Sequence, residues 1–162
     1  MQADIIRLAA DLGQALRQKG WMMASAESCT GGGVAFAMTE IAGSSAWFDR
    51  SFVTYTNQAK QDMLGVTAIS LEHHGAVSEA VVKEMTAGAL QNSQANISVA
   101  LSGIAGPGGG SDEKPVGTVW IAWKTKDGVI DLAKRFVFSG ERSEVREQAI
   151  REALTGLLAY SK

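Results

Sequence analysis

The apolar positions of the chain follow two rhythms. Ile5, Leu8, Ala9, Leu12 and Leu16 recur at the spacing of one helical face, and Gly20 supplies a stop. Three short runs rich in apolar residues have the length of buried strands: Trp21 to Ala26, Phe52 to Tyr55, and Ile97 to Leu101. Helical segments lie between them. Val34 to Ile41 follows the first run across a glycine turn, and Gly43-Ser44-Ser45 breaks it. Thr56 or Asn57 is placed to cap a helix through Lys60 to Leu64, closed by Gly65. Ser78 is placed to cap another over Glu79 to Gln91, with Val81, Val82, Met85 and Leu90 as its core stripe. A glycine-rich loop, Gly103 to Gly117, leads to Thr118–Lys124 and Val129–Phe138, which flank the hairpin signal Asp127-Gly128. Val145, Ala149, Ile150, Ala153, Leu154 and Leu157 then mark one face of a last helix.

Helices alternating with three strands, followed by a hairpin, predict an α/β fold. The expected form is a three-layer sandwich: a mixed sheet, parallel in its first part and antiparallel at one edge, with helices on both faces. One domain over residues 1–162 is expected, since no linker or internal repeat interrupts the pattern. With 46% hydrophobic and 20% charged residues the chain has an ordinary globular composition, and a net charge of −2 argues against a nucleic-acid-binding face. The apolar runs are too short for a membrane span, and the charged, periodic N-terminal segment is unlike a signal peptide. A single cysteine, Cys29, cannot form an internal disulfide, so a cytoplasmic setting is expected. Cys29, His73 and His74 show no zinc spacing, so neither a metal nor another cofactor is expected.

Three segments follow strands, the place where sites gather in open α/β sheets: Glu27–Gly33, Tyr55–Lys60 and Ser102–Gly117. Ser28 sits at a strand-to-helix junction, where the amides of Cys29, Thr30 and Gly31 would open a helix and be free to bind an oxyanion. The alternative is that Ser28 is only a helix cap. Cys29 is a rival nucleophile or a small buried hydrophobe, and only one of the two adjacent side chains should face the site. His73 and His74, in a segment that resembles a helix end before Gly75, suit a dipole role better than a triad. Lys60 would serve as a base if burial kept it neutral, with Tyr55 five residues earlier relaying protons; otherwise Lys60 is a solvated lysine and Tyr55 a strand aromatic. The loop Gly103-Ile104-Ala105-Gly106-Pro107-Gly108-Gly109-Gly110-Ser111 fails the dinucleotide and P-loop fingerprints, leaving a phosphate nest or a lid. Arg142, just before the last helix, is either an anion clamp or solvated.

Several motifs in fixed order are informative together: Ala26-Glu27-Ser28-Cys29-Thr30-Gly31-Gly32, Ala42-Gly43-Ser44-Ser45-Ala46-Trp47-Phe48, Val53-Thr54-Tyr55-Thr56-Asn57-Gln58-Ala59-Lys60, His74-Gly75-Ala76-Val77-Ser78-Glu79, Ser102-Gly103-Ile104-Ala105-Gly106-Pro107 and Lys114-Pro115-Val116-Gly117-Thr118-Val119. The chain resembles, over nearly its whole length, the family of nicotinamide-nucleotide amidases that includes the C-terminal domain of the competence/damage-inducible protein CinA. The resemblance implies metal-free hydrolysis of nicotinamide mononucleotide to nicotinic acid mononucleotide and ammonia, in pyridine nucleotide recycling, by a homodimer. It implies Ser28 as nucleophile, Lys60 and Tyr55 as its catalytic partners, Cys29 as structural, and Ser102 and Arg142 at the site. Thr30, Gly31 and Gly103 are then expected at the substrate. A non-catalytic nucleotide-binding module is the competing reading.

Overall fold

A computed structural model describes residues 1–162. Helix α1 (Ala3–Lys19) ends at Gly20 in the left-handed conformation, and the chain enters β1 (Met23–Glu27). Next come α2 (Gly33–Thr39), a single 3₁₀ turn (Ser44–Ala46) and β2 (Phe48–Val53). Three helices follow: α3 (Asn57–Leu64), α4 (Ala68–His74) and α5 (Glu79–Gln91). Strands β3 (Ile97–Gly103), β4 (Thr118–Thr125) and β5 (Asp131–Val137) precede the long α6 (Arg142–Tyr160).

The five strands form one sheet in the order β2-β1-β3-β4-β5. β1 pairs in parallel with both β2 and β3, and the β3–β4 and β4–β5 pairs are antiparallel. This is the expected mixed sheet. One face carries α1, α2 and α6 and the other carries α5 with α3 and α4. Covering on both sides explains why every residue of β1 is buried. Strand alternation divides the core accordingly. Ile97, Val99 and Leu101 point to the larger core under α1 and α6, while Ala26 and Ala100 meet Val81, Val82 and Met85 of α5.

Caps expected from the sequence are in place: Thr56 Oγ1 accepts from the Ala59 amide, and Ser78 Oγ from that of Val81. The second strand differs from expectation. It was expected over Phe52–Tyr55, but β2 spans Phe48–Val53 and includes Asp49, Arg50 and Ser51. As an edge strand it tolerates polar residues that hydropathy alone would exclude. Tyr55 consequently lies beyond the strand, in the link to α3. Helix α4, anticipated only as a helix end near His74, has no buried residue and so leaves little apolar pattern to read. No helix is long and apolar enough to cross a membrane.

Candidate active site

β1 delivers two polar residues to opposite sides of the sheet. Glu27 falls on the α2 side and is completely buried. Its Oε1 accepts from the Thr30 hydroxyl at 2.7 Å and the Val34 amide at 2.9 Å, and its Oε2 accepts from the Ala35 amide at 3.0 Å. The Ser25 and Ser51 hydroxyls also lie against Oε2, at 3.0 and 3.1 Å. Val34 and Ala35 carry the amides that an N-cap side chain would ordinarily take, and the cap residue itself is Gly32, with none to offer. Ser28 is therefore not the helix cap. Glu27 does that work from the preceding strand.

The turn after Ser28 differs from the expected direct junction. Gly31 and Gly32 take φ of 58° and 96°, a left-handed pair that side-chain-bearing residues rarely adopt, and α2 begins only at Gly33. The Gly31 amide donates to the Ser28 carbonyl at 3.0 Å, so it is not free as an oxyanion donor. The Cys29 and Thr30 amides make no hydrogen bond within the protein. The Thr30 side chain, expected at the substrate, is buried and donates to Glu27 instead.

Ser28 faces α3. Lys60 Nζ donates to Ser28 Oγ at 2.9 Å and to the Thr54 carbonyl at 2.8 Å. Lys60 is only 1% exposed and forms no ion pair with a carboxylate. Burial without a counter-charge penalises the ammonium form, and the Lys60 pKa is lowered from the ordinary lysine value. The position of α3 depends on a close approach to α5. A Cβ at Gly88 would overlap the Leu64 carbonyl at the end of α3.

Cys29 turns into the larger core, and burial pushes its thiol up to about 11, with the Glu27 charge adding to the rise. A thiol so disposed holds a negligible thiolate fraction near neutrality. Arg146 of α6 donates from Nε to the Cys29 carbonyl at 3.0 Å and from Nη2 to that of Thr30 at 3.4 Å, fastening the turn to the last helix. One helical turn earlier, Arg142 donates to the Gly106 carbonyl at 2.8 Å and to the Tyr55 hydroxyl at 3.0 Å. The Tyr55 phenol makes no hydrogen bond to Ser28 or Lys60, so the expected proton relay through it has no geometric support.

These residues share a cavity of about 260 Å³ lined by Ser28, Lys60, Tyr55, Asn57, Ser102 and Arg142, among others. Gly103 also reaches it. No acidic side chain lines it. A wider groove of about 730 Å³ adjoins it, with Ala105 and Arg142 common to both. The arrangement joins a hydroxyl, a buried amine and the Cys29 residue with its free amide in one concave space, with the free Thr30 amide in the same turn, the parts needed for acyl transfer.

The CinA C-terminal domain model matches residues 5–161. The chain belongs to the CinA C-terminal domain family. It is 54% identical to nicotinamide-nucleotide amidohydrolase PncC of Escherichia coli K12, over 96% of this chain and 93% of that one. It is 58% identical to the protein of the same name from Enterobacter agglomerans, over 88% and 86%. Among solved structures, the competence/damage inducible protein CihA of Agrobacterium tumefaciens superposes with a TM-score of 0.97 at 48% identity, covering 100% of this chain and 98% of that one.

In this CinA C-terminal domain, Ser28, Lys60, Tyr55, Ser102, Gly103 and Arg142 meet at one cavity, whereas Thr30 and Gly31 support the turn behind it. Sequence reasoning missed Glu27, Asn57, the Thr54 carbonyl and Arg146. Glu27 and Arg146 left signals: a carboxylate at the end of a strand of small and apolar residues, and an arginine four residues after Arg142. A backbone carbonyl such as that of Thr54 leaves none.

Proposed function

We propose that the chain hydrolyses the carboxamide of nicotinamide mononucleotide, giving nicotinic acid mononucleotide and ammonia, with Ser28 as nucleophile and Lys60 as its base. The observation that carries this reading is the 2.9 Å contact between the Ser28 hydroxyl and an amine that is buried and unpaired. The names of the close relatives supply the substrate.

In its neutral form Lys60 keeps one N–H on the Thr54 carbonyl, which turns the nitrogen lone pair toward Ser28. The Ser28 proton passes to that nitrogen as Oγ attacks the carboxamide carbon. The oxyanion develops toward the free Cys29 and Thr30 amides. Collapse expels ammonia, which takes the proton back from Lys60, and leaves the nicotinoyl ester on Ser28. Water, activated by the same amine, then releases the acid. Arg142, at the boundary of the cavity and the groove, is suited to the 5′-phosphate, and the Ser102 hydroxyl and loop amides after Gly103 to the rest of the nucleotide. Tyr55 holds Arg142 and walls the cavity without carrying protons. The reaction belongs to cytoplasmic recycling of pyridine nucleotides, and the working form is a homodimer.

The test is ammonia release from nicotinamide mononucleotide by the purified protein beside Ser28→Ala. Release by the parent and none by the variant is expected. Tight binding of the mononucleotide with no ammonia from the parent would make the domain a binding module and end the proposal.

A further inference from the structure

Glu27 is the one fully buried carboxylate of the chain, and the reaction just described leaves it without a task. Its partners are distributed unusually. Ser25 belongs to β1, Ser51 to β2, Val34 and Ala35 to the first turn of α2, and Thr30 to the turn that follows Ser28. Only the Thr30 hydroxyl links the carboxylate to the segment bearing the two free amides, and at 2.7 Å it is the shortest of the five contacts. Two left-handed glycines adjoin that segment, whose backbone is held by the hydrogen bonds from Gly31 to Ser28 and from Gly33 to Thr30; the Thr30 side chain adds the tie to the buried carboxylate. Arg146 restrains it from the other side, through the Cys29 carbonyl, which shares a peptide plane with the Thr30 amide, and through the Thr30 carbonyl, so that Glu27 and Arg146 grip Thr30 by its side chain and its backbone together.

We propose that Glu27 is a positioning residue: acting through the Thr30 hydroxyl, its carboxylate holds the Cys29 and Thr30 amides in the orientation that receives the oxyanion. The proposal rests on Ser28 being the nucleophile and is independent of which amide or ester it attacks. By taking the α2 amides as well, Glu27 supplies the cap that Gly32 lacks, while Ser28, on the opposite side of the sheet, meets Lys60.

Thr30→Val removes the donor while keeping the side-chain shape, and Thr30→Ser restores the donor. Two rates are compared at a temperature where thermal melts show each variant folded. One is ammonia release, resolved into kcat and KM. The other is labelling of Ser28 by an alkyl fluorophosphonate, in which the Oγ–P bond forms, the P–F bond breaks, the serine proton passes to Lys60 and fluoride departs. The phosphonyl oxygen needs the same amides as the amide oxyanion. Thr30→Val is expected to lose about tenfold or more in kcat and in labelling rate, with KM little changed, as befits a misaligned oxyanion donor. Thr30→Ser should recover most of both rates, and Glu27→Gln should share the loss where it folds. A Thr30→Val protein as fast as the parent, or a Thr30→Ser protein as slow as Thr30→Val, would overturn the proposal. Labelling of the parent at Ser28 without hydrolysis of the mononucleotide would discard the substrate while leaving the labelling comparison to decide the role of Glu27. A parent that is not labelled at Ser28 removes both.

Discussion

Lys60 has no carboxylate partner, and this governs both its chemistry and its effect on stability. Its pKa in the fold lies below the unfolded value of 10.5, so over the interval between the two the unfolded chain binds more protons than the native one. Stability therefore rises with pH across that interval, and at lower pH the buried amine is carried at a cost. Cys29 acts in the opposite sense: with its thiol raised from 9.0 to about 11, stability falls as pH climbs through that range. Lys60→Met is expected to melt no lower than the parent at pH 7, to flatten the rise of melting temperature with pH that the buried amine causes, and to lose about 10²–10⁴-fold in turnover. A melt series in pH and an ammonia assay check the three together. Ser28→Ala should abolish ammonia release with the circular dichroism spectrum and melting temperature preserved. Cys29→Ser should retain most of the turnover, since a thiol held protonated contributes nothing as a nucleophile; a dead variant that still folds would transfer the role to sulfur.

The turn Ser28–Gly32 and the helices α2, α3 and α5 set the geometry in which those side chains work. α3 carries Lys60 to Ser28 only because α5 presents Gly88 where the Leu64 carbonyl passes. Gly88→Ala should cost about 1–3 kcal/mol in a urea melt, from overpacking, and should reduce kcat by shifting α3. A variant with parental stability and kcat would show that the approach is not tight. Much at this level was legible in the sequence. Helices α3 and α5 were readable from the stripe Val81, Val82 and Met85 and from the caps at Thr56 or Asn57 and at Ser78, because short-range periodicity and capping chemistry are local. Leu90, expected in the same stripe, is only half-buried, and Thr56 is the residue that caps. Helix α4 and the polar half of β2 were not legible, because elements with little buried apolar surface carry little pattern.

The five-stranded sheet brings to one end three loops that lie far apart along the chain, and α6 ties them together. Arg142 reaches Gly106 and Tyr55, and Arg146 reaches Cys29 and Thr30, from successive turns of one helix. A phosphate bound at Arg142 would thus engage the loop and the tyrosine at once. Arg142→Met is expected to lower kcat/KM for nicotinamide mononucleotide by about 10–100-fold, the worth of a hydrogen bond to a charged group. It should leave nicotinamide riboside, which lacks the phosphate, almost unaffected. Equal losses on both substrates would place the phosphate elsewhere.

What the amino-acid sequence conveyed by itself was most of the order of strands and helices, the mixed sheet, and the family motifs that contain Ser28, Tyr55, Lys60 and Ser102. These follow from periodicity, turn chemistry and residue identity, all of which are written along the chain. Only the folded molecule decided that Ser28 rather than Cys29 faces the amine, that Glu27 caps α2 in place of Ser28, and that the Tyr55 phenol serves Arg142. Those outcomes depend on which face of β1 each side chain leaves and on what distant helices place opposite it. Burial and the direction of a hydrogen bond are properties of neighbours in space, and neighbours along the chain do not specify them.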